Sequence, residues 1–411
     1  MKLARQVARL LLPFHLRNQI RAFIFRDLRE LGLLDYLRKL GFLTCKNYIQ
    51  VNESNVYLNF SKDYVKAGGL LEEDKINPAV YLDGQGLATM HPFVAKTETI
   101  LLEICDEYFS FRNNHLLNKE LNVIGGEART GKPSTSELDK QRPIPIYGQV
   151  LSKTIKIKGT VAYLSDPDPQ NYYHWMCRAL PLLRSYKKFY DFSEIDFFYL
   201  GQFPLASFHE ECLKQAGIPT NKVIQEGCTA ERLLMAIHNR SSHFLDPISD
   251  PINKESYLFS RNLFYETLKS LEARGKDKRL YINRGNAKKR RILNESQVFS
   301  LLESYGFESV VMDNKTVQEQ ASLVYQAEAI VALHGAALTN LLFVQPGVKV
   351  IELIPYGYVN NCFYVMASHA EADYFCLQGE NLDQDKTDSR SIDTYIDIQK
   401  LEKILTMASL R

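Results

Sequence analysis

Short apolar runs alternate with amphipathic stretches along the C-terminal part of the chain. Runs rich in β-branched residues predict buried parallel strands, and apolar positions at three- and four-residue spacing predict helices between them. The predicted strands are 279–282, 309–312, 329–333 and 348–354, and the predicted helices are 294–305, 316–327 and 336–344. This alternation over about one hundred residues has the size of one Rossmann-like domain.

The same alternation occurs once more upstream. It predicts strands at 160–164, 197–200, 222–224 and 233–237, and helices at 172–190 (interrupted near Pro181), 204–216 and 256–272. Strands that alternate with helices favour parallel βαβ units. The sequence therefore predicts an α/β protein with two Rossmann-like domains, residues 158–272 and residues 273–411, the second ending in a helix that packs back across the domains.

Residues 44–157 have a different pattern. Strand-like stretches at 55–60, 79–82, 121–124 and 150–157 surround a segment, 125–146, that is rich in glycine and proline. This composition predicts strands joined by a long loop. We predict a β-rich extension, and its pattern alone indicates no function.

Residues 1–43 are basic and have helical spacing of their apolar positions. They contain nine lysines and arginines against three acidic residues. Two interpretations remain open: an amphipathic helix that contacts the inner face of the plasma membrane through anionic lipids, or a helical hairpin packed on the body of the protein. No signal peptide and no run of 18 apolar residues is present, so we expect a cytoplasmic protein.

The composition is that of an ordinary globular protein. The chain has 411 residues, of which 45% are hydrophobic and 24% charged, and its net charge is +2. The balanced charge excludes nucleic acid as the main partner, so any anion site must be local. The seven cysteines are scattered and form no CxxC pair, which argues against a zinc ribbon or a redox dithiol.

The strongest chemical signal is the turn after the predicted strand 329–333. An apolar strand leads directly into His334, Gly335 and Ala336 and then into a predicted helix that contains Asn340. Ligands of open α/β sheets bind beyond the carboxyl ends of strands, and the first amides of a helix attract anions. The pattern favours a diphosphate site with His334 as a donor. The alternative is a tight connection whose histidine bonds to a carbonyl.

Two further positions are predicted at the same edge of the sheet. Glu352 is a carboxylate in an otherwise apolar strand end, where it is expected to accept hydrogen bonds from ribose hydroxyls or to form a salt bridge. Arg284 follows the strand 279–282, and Arg291 ends the basic run after it. These two arginines are predicted to neutralise a leaving diphosphate, whereas Lys288 and Lys289 are expected to be solvated.

A third cluster opens the helix predicted at 172–190. Asn171, Tyr173, His174 and Trp175, the only tryptophan, follow a turn that contains Asp166 and Asp168. Aromatic faces and an imidazole suit a sugar acceptor, and a histidine near a carboxylate suits a general base. The alternative is a core histidine with Trp175 packed in the interior.

Several common motifs are absent from the sequence. There is no GxxxxGK[ST] or GxGxxG fingerprint, no HExxH and no GxSxG elbow. Of the two Asp-x-Asp matches, one lies between prolines and the other in a polar stretch. We therefore expect no required metal or other cofactor.

Taken together and in order, these motifs resemble glycosyltransferase family 61. The resemblance covers about residues 160–376 and rests on Asn171–Trp175, Arg284 with Arg290–Ile292, Gln320, His334–Asn340 and Glu352. Ala337 departs from the family, which usually has a second glycine there.

The resemblance implies a GT-B-like fold of two facing Rossmann-like domains and an inverting transfer from a nucleotide sugar, often UDP-linked. By motif, it places His334, Gly335, Ala336, Asn340 and Glu352 at the donor, Arg284 and Arg291 at its phosphates, and His174 on the acceptor side. The implied acceptor is a glycan or a lipid-linked oligosaccharide of capsule, exopolysaccharide or lipopolysaccharide synthesis. A non-catalytic nucleotide-sugar or glycan-binding module remains the alternative, and a dinucleotide-dependent epimerase is disfavoured because the fingerprint is absent.

Overall fold

A computed structural model describes most of the chain from residue 68 onward. The described residues are 48–50, 68–83, 86–90, 93–105, 109–112, 115–117, 123–125, 154–166, 168–240, 252–272, 275–285, 289–358, 360–382 and 393–410. The predictions for residues 1–43, for the strand 55–60 and for nearly all of the loop 125–146 lie outside them.

Seventeen strands are found in the described part of the chain. They are β1 Tyr48–Gln50, β2 Gly68–Ile76, β3 Ala79–Asp83, β4 Gly86–Met90, β5 Phe93–Ile104, β6 Ser110–Arg112, β7 His115–Leu117, β8 Val123–Gly125, β9 Ile155–Tyr163, β10 Phe197–Tyr199, β11 Val223–Ile224, β12 Cys228–Arg240, β13 Lys278–Asn283, β14 Phe307–Val311, β15 Ala327–Leu333, β16 Lys349–Ile354 and β17 Asp373–Gln378.

The helices of the described residues are short. They are α1 Tyr172–His174, α2 Leu182–Phe189, α3 Ser207–Gln215, α4 Lys254–Asn262, α5 Tyr265–Lys269, α6 Glu295–Ser304, α7 Val317–Tyr325, α8 Cys362–His369 and α9 Ile398–Met407. A π-helical segment, Trp175–Ala179, continues α1, and 3-10 helices occur at Phe192–Glu194, Thr220–Lys222 and Ala336–Leu342. The interruption predicted near Pro181 is confirmed, because α2 begins only at Leu182.

The C-terminal sheet has seven strands in the order β14-β13-β15-β16-β17-β3-β4. All neighbours are parallel except the β3–β4 hairpin. The five strands contributed by residues 278–378 have the order 2-1-3-4-5, which is a doubly wound order with its switch point between the first and third strands. This point lies between β13 and β15.

The N-terminal sheet is mixed. Strands β12, β9, β10 and β11 are parallel neighbours, as expected for βαβ units. Strand β5 runs antiparallel to β12, and β2 runs antiparallel to β5. Residues 155–163 form one continuous strand, whereas the sequence predicted two shorter strands there.

The β-rich extension predicted at 44–157 does not form a sheet of its own within the described residues. Strands β2 and β5 extend the N-terminal sheet, but β3, only two residues after β2, pairs with β17 of the C-terminal sheet. This part of the chain therefore contributes strands to both sheets. The arrangement is compatible with a Rossmann-like fold, and the specific GT-B arrangement stays a prediction.

The C-terminal sheet is covered on both faces. Along β15 and β16, Ile330, Ala332 and Val350 join the larger hydrophobic core. The alternate residues, which include Val331 and Ile351, join a second core under α6 and α9. Burial on both faces explains why these strands are nearly continuous apolar runs. None of the described helices is both long enough and apolar enough for a membrane crossing.

Candidate functional site

The first part of the site lies at the switch point of the C-terminal sheet. Strand β13 ends at Asn283 and is followed by Arg284, and β15 ends at Leu333 and is followed by His334. The Arg284 guanidinium donates a hydrogen bond to the backbone carbonyl of His334, with 3.2 Å between Nη1 and the oxygen. The structure thus brings together two residues that the sequence predicts at one edge of the sheet.

A buried carboxylate holds the ring of His334. The imidazole Nδ1 is hydrogen-bonded to Glu352, and the Tyr374 hydroxyl donates to the other carboxylate oxygen. Burial and the charge of Glu352 raise the pKa of Tyr374 well above its usual value, so this hydroxyl stays protonated and donates. Because Nδ1 faces Glu352, Nε2 is the ring nitrogen left for a ligand.

The structure corrects the expected role of Glu352. The side chain is fully buried, and both of its oxygens are engaged by His334 and Tyr374. A carboxylate in this position offers no oxygen to a ribose hydroxyl. Glu352 instead acts on the site through the imidazole that it orients.

Aromatic rings cover the imidazole of His334. The centroids of Tyr358 and Phe363 lie 4.8 and 4.9 Å from it, and His334 is only 4% exposed. The guanidinium of Arg290 lies 5.2 Å from the centre of the Tyr358 ring. Arg290 and His334 therefore both contact the ring of Tyr358.

The turn after His334 differs from the predicted one. Residues Ala336–Leu342 form a 3-10 helix rather than the α-helix expected at 336–344. Gly335 is extended (φ 168°), and a Cβ there would lie at ordinary contact distance, 3.5 Å, from the Arg284 guanidinium. Seven residues of 3-10 helix provide a weak macrodipole, so charge stabilisation here depends on the side chains.

Asn340 does not reach the ligand face of this turn. It is 1% exposed, and its amide donates to Gln320 (2.8 Å) and to the carbonyl of Ala337 (3.0 Å). Its oxygen accepts from the Tyr172 hydroxyl at 3.2 Å. This corrects the expectation of donor contact, because every polar atom of the side chain already has a protein partner. Asn340 joins the two halves of the molecule.

Arg291 also differs from its expected position. Its guanidinium makes two hydrogen bonds to Asp393, at 2.7 and 3.1 Å, and its backbone amide donates to the same carboxylate at 2.9 Å. The side chain is 62% exposed. Arg291 therefore fixes the segment around Asp393 and does not converge on His334.

The second part of the site lies beyond the carboxyl end of β9. His174 Nδ1 is 2.7 Å from the carboxylate of Asp166, and Arg178 lies 3.7 Å from the other carboxylate oxygen. Burial raises the pKa of Asp166, but the hydrogen bond from His174 and the charge of Arg178 outweigh burial, so the pKa is lowered. An ionised, buried Asp166 behind a histidine that is 26% exposed is the geometry of a general base.

The other predicted acceptor-side residues have structural positions. Asn171 caps α1 by accepting from the amide of Tyr173 at 2.9 Å. Trp175 is 0% exposed and packs on His209 with 4.7 Å between ring centroids. The indole therefore offers no face to a sugar, and the interpretation of Trp175 as a core residue is the one that the structure supports.

The two histidine–carboxylate pairs belong to one region. Tyr173, which precedes His174, contacts Phe363 at 5.5 Å, and Phe363 contacts His334 at 4.9 Å. Asp166 and His174 follow the carboxyl end of β9, and His334 follows the carboxyl end of β15, with Glu352 near the end of the neighbouring strand β16. The structure thus brings the two predicted clusters together across the junction of the two halves.

No arrangement suited to a metal is found in the described part of the chain. Nowhere in it do three or more His, Cys, Asp or Glu side chains gather as metal ligands would. The expectation that no metal is required stays a prediction.

Three residues of the site were not assigned from the sequence. Tyr374 lies on β17, whose apolar run YFCL is a strand signal but carries no sign of a site residue. Arg290 belongs to the predicted basic run, but no pattern distinguishes it from Arg291. Tyr358 follows β16 in a loop that carries no periodic signal.

Comparison with known proteins agrees with the motifs. The family model described as Glycosyltransferase 61 matches residues 172–351. A beta-1,2-xylosyltransferase of Oryza sativa subsp. japonica is 30% identical over 136 residues, which are 31% of this chain and 29% of that protein. An alpha-1,3-arabinosyltransferase of the same plant is 35% identical over 72 residues, 16% of this chain and 12% of that protein. The chain therefore matches less than a third of the length of either relative.

Proposed function

Residues 172–351 form a glycosyltransferase family 61 domain, and from that premise we propose that this protein transfers a sugar from a nucleotide-sugar donor to a glycan or lipid-linked acceptor. The observation that carries the proposal is the pairing of two different charge environments in one region. The Arg284 guanidinium lies at the turn that carries His334, and the buried carboxylate of Asp166 stands behind His174. Glycosyl transfer needs both, one for the leaving diphosphate and one for the attacking hydroxyl.

The leaving group is bound on the side of His334. Arg284 is a partly buried cation at the switch point, and Glu352 fixes the ring of His334 next to it. Negative charge grows on the diphosphate as its bond to the anomeric carbon breaks. Preorganised cations and N–H donors stabilise that charge without a metal.

His174 is the general base of this proposal. Nδ1 lies 2.7 Å from Asp166 and 3.1 Å from Nη1 of Arg178, and the shorter contact favours the neutral tautomer in which Nδ1–H donates to the carboxylate and Nε2 is unprotonated. Nε2 takes the proton of the acceptor hydroxyl while the hydroxyl oxygen attacks the anomeric carbon, and the diphosphate departs from the opposite face. The transfer inverts the anomeric configuration, and closure around both substrates excludes water.

The relatives suggest which donors to test first. One is a xylosyltransferase and the other an arabinosyltransferase by name, so UDP-linked pentoses come before UDP-linked hexoses. We further propose that the product is a cell-surface polysaccharide made at the cytoplasmic face of the membrane, in keeping with the basic segment 1–43.

Turnover of purified protein tests the proposal. We expect release of UDP from one member of a UDP-sugar panel, increased by a glycan acceptor, and loss of this turnover in Arg284→Gln. Arg279→Gln is the matched control, because Arg279 lies at the opposite end of the same strand and binds Glu328 and the Tyr305 carbonyl. Binding of UDP without turnover of any donor would instead favour the non-catalytic module.

A further inference from the structure

Arg178 lies closer to the ring of His174 than to the carboxylate of Asp166. Its Nη1 is 3.1 Å from Nδ1 of His174 and 3.7 Å from Oδ2 of Asp166. The second distance exceeds that of a hydrogen bond, so the guanidinium is not placed by a direct bond to this oxygen. Its position instead puts a fixed positive charge beside the ring of the proposed general base.

A π-helical turn carries Arg178 to this position. Arg178 follows His174 by four residues, and the amide of Leu180 bonds the carbonyl of Trp175, five residues back, at 2.9 Å. Such turns are rare and are frequently found at functional sites. The side chains of Arg178 and Asp166 are 18% and 5% exposed, so water screens their charges only in part.

The charges next to the imidazole cancel while the ring is neutral. Burial raises the pKa of Asp166, but the hydrogen bond from His174 and the charge of Arg178 outweigh burial, and the carboxyl stays ionised. One carboxylate and one guanidinium then have no net charge, whereas a protonated ring adds an unbalanced positive charge. If Arg178 were neutral, the protonated ring would form a simple ion pair with Asp166. Arg178 therefore opposes protonation of His174.

Other ionisable groups around the ring do not alter this balance. The 3-10 helix Ala336–Leu342, which packs on α1, contains no ionisable side chain. Burial, followed by the charge of Glu352, raises the pKa of the Cys362 thiol on α8 well above its usual value, so the thiol stays neutral. Tyr173 packs edge-on against the imidazole as an ordinary phenol. Asp168 is exposed, and water screens its charge.

We propose that Arg178 is a positioning residue for the base: its charge holds the ring of His174 unprotonated at neutral pH, so that Nε2 can take the proton of the acceptor hydroxyl. The inference rests on the proposed function and deepens it, since it assigns the pH range in which the same site works. Asp166 acts in the opposite sense, because it stabilises the imidazolium that forms during transfer. The two charges together balance the availability of the base against its strength.

Carbethoxylation of His174 by diethyl pyrocarbonate tests the proposal in the full chain without any substrate. The reagent attacks only unprotonated imidazole, and peptide mass spectrometry measures its rate at His174 across a pH series. We expect Arg178→Gln to move the midpoint of this labelling profile up by about one pH unit, which slows labelling about ten-fold on the acidic side. Arg178→Lys keeps the charge and should keep the profile close to that of the wild type.

Two further variants frame this result. Arg184→Gln is the matched control, because Arg184 is an arginine of similar exposure (20%) on the next helix and is bonded to Glu72. It should leave the profile in place. Asp166→Asn should move the profile to lower pH, because Arg178 then acts on the ring unopposed. This last measurement does not depend on whether Arg178→Gln folds.

The pH dependence of kcat is the second readout. In Arg178→Gln the acidic limb of kcat should move up by the same amount as the labelling profile. At alkaline pH, kcat should equal or exceed that of the wild type, because the ring is then a stronger base. A merely structural role would lower kcat at every pH and move neither limb.

The outcomes separate Arg178 from the wider proposal. An unmoved labelling profile in Arg178→Gln, an equal movement in Arg184→Gln, or a profile in Asp166→Asn that does not move to lower pH would overturn the role of Arg178. Wild-type His174 that is labelled at no pH would overturn it as well, because the ring would be closed to an acceptor. The expected movements in a protein that turns over no UDP-sugar would keep the effect of Arg178 on the ring and reject the transferase.

Discussion

Each of the two site histidines is oriented by a buried carboxylate, but the two carboxylates differ in their surroundings. Asp166 is bonded to a partly exposed imidazole and lies near Arg178, whereas Glu352 is bonded to a covered imidazole and to Tyr374. The first arrangement favours proton transfer to solvent-accessible groups. The second holds the ring of His334 in one fixed orientation.

The role of Asp166 is testable by one substitution. We expect Asp166→Asn to lower kcat by about a hundred-fold, because the ring of His174 loses its orientation and its stabilising charge. The affinity for UDP should be unchanged, since the proposed donor site lies around His334. Asp168→Asn is the control: Asp168 is exposed and contributes only its backbone amide to Asp166. A similar kcat loss in both variants would contradict the role.

The same residue predicts a pH dependence of stability. The pKa of Asp166 is lowered in the folded protein, so its carboxylate stabilises the fold above the unfolded value of about 3.9 and this contribution is lost as pH falls through the folded pKa. The difference in free energy of unfolding between wild type and Asp166→Asn should be constant at neutral pH and shrink below about pH 4. Urea denaturation across that range measures it. A difference in free energy of unfolding that grows as the pH falls would contradict this prediction.

Glu352 and Tyr374 predict coupled losses of stability and binding. Glu352→Gln replaces a buried carboxylate that is hydrogen-bonded to His334 and Tyr374. The amide leaves one of these partners unsatisfied, which lowers the free energy of unfolding by about 1–3 kcal/mol. We also expect weaker UDP binding, because His334 loses its orientation. Tyr374→Phe should lower the free energy of unfolding by a similar amount and weaken UDP binding less than Glu352→Gln does.

Glu308→Gln on the same sheet is the control, since Glu308 is exposed. Denaturation and calorimetry measure the two effects. Unchanged UDP affinity in Glu352→Gln would show that the imidazole does not contact the donor.

At the scale of elements, caps link the two halves of the molecule. Helix α7 begins with a capping box of Thr316 and Glu319, and Glu211 from α3 accepts the amides of Val317 and Gln318 at 2.7 and 2.9 Å. The capping box is local and readable in the sequence as T-x-x-E. The contribution of Glu211 comes from a residue more than one hundred positions away, and only the structure reveals it.

The shared cap gives an element-scale prediction. Glu211→Ala removes an acidic partner from the start of α7, and we expect it to lower the free energy of unfolding by about 1 kcal/mol. Glu210→Ala is the matched control, since Glu210 is the neighbouring exposed acid on the same helix. Thermal unfolding of both variants measures the difference, and equal melting temperatures would argue against the cap.

Some elements could not be predicted from their patterns. All eight residues of α8 are buried, so the helix has no polar face and no amphipathic period to detect. Asn294 occupies the N-cap position of α6, but its side chain does not cap the helix and its amide bonds both backbone groups of Ile396. Gly306 follows that helix with φ +77°.

At the scale of the whole molecule, the early strands join the two sheets. Strand β5 lies against β12 in one sheet, and β3 lies against β17 in the other. A division of the chain at residue 158 separates both pairs. The two α/β units therefore depend on the preceding residues to cover their edges.

This dependence predicts the behaviour of a fragment. Residues 158–411 alone should aggregate or unfold without a sharp transition, because the edges of β12 and β17 lose their partners. The full chain should unfold cooperatively as a monomer. Size-exclusion chromatography and circular dichroism melting compare the two. A monomeric fragment with the melting temperature of the full chain would contradict the arrangement.

Periodicity and motifs by themselves determined the α/β class, most strands and helices after residue 158, and the candidate residues His334, Arg284 and His174, because these depend on local propensity and on the ends of parallel strands. The tertiary structure decided that Arg291 pairs with Asp393, which partners take the hydrogen bonds of Glu352 and Asn340, and which sheet each early strand joins. Those outcomes depend on partners far away in the chain, such as Asp393, Tyr374 and β17. A sequence pattern records what a residue prefers, whereas its partner is chosen by the folded surroundings.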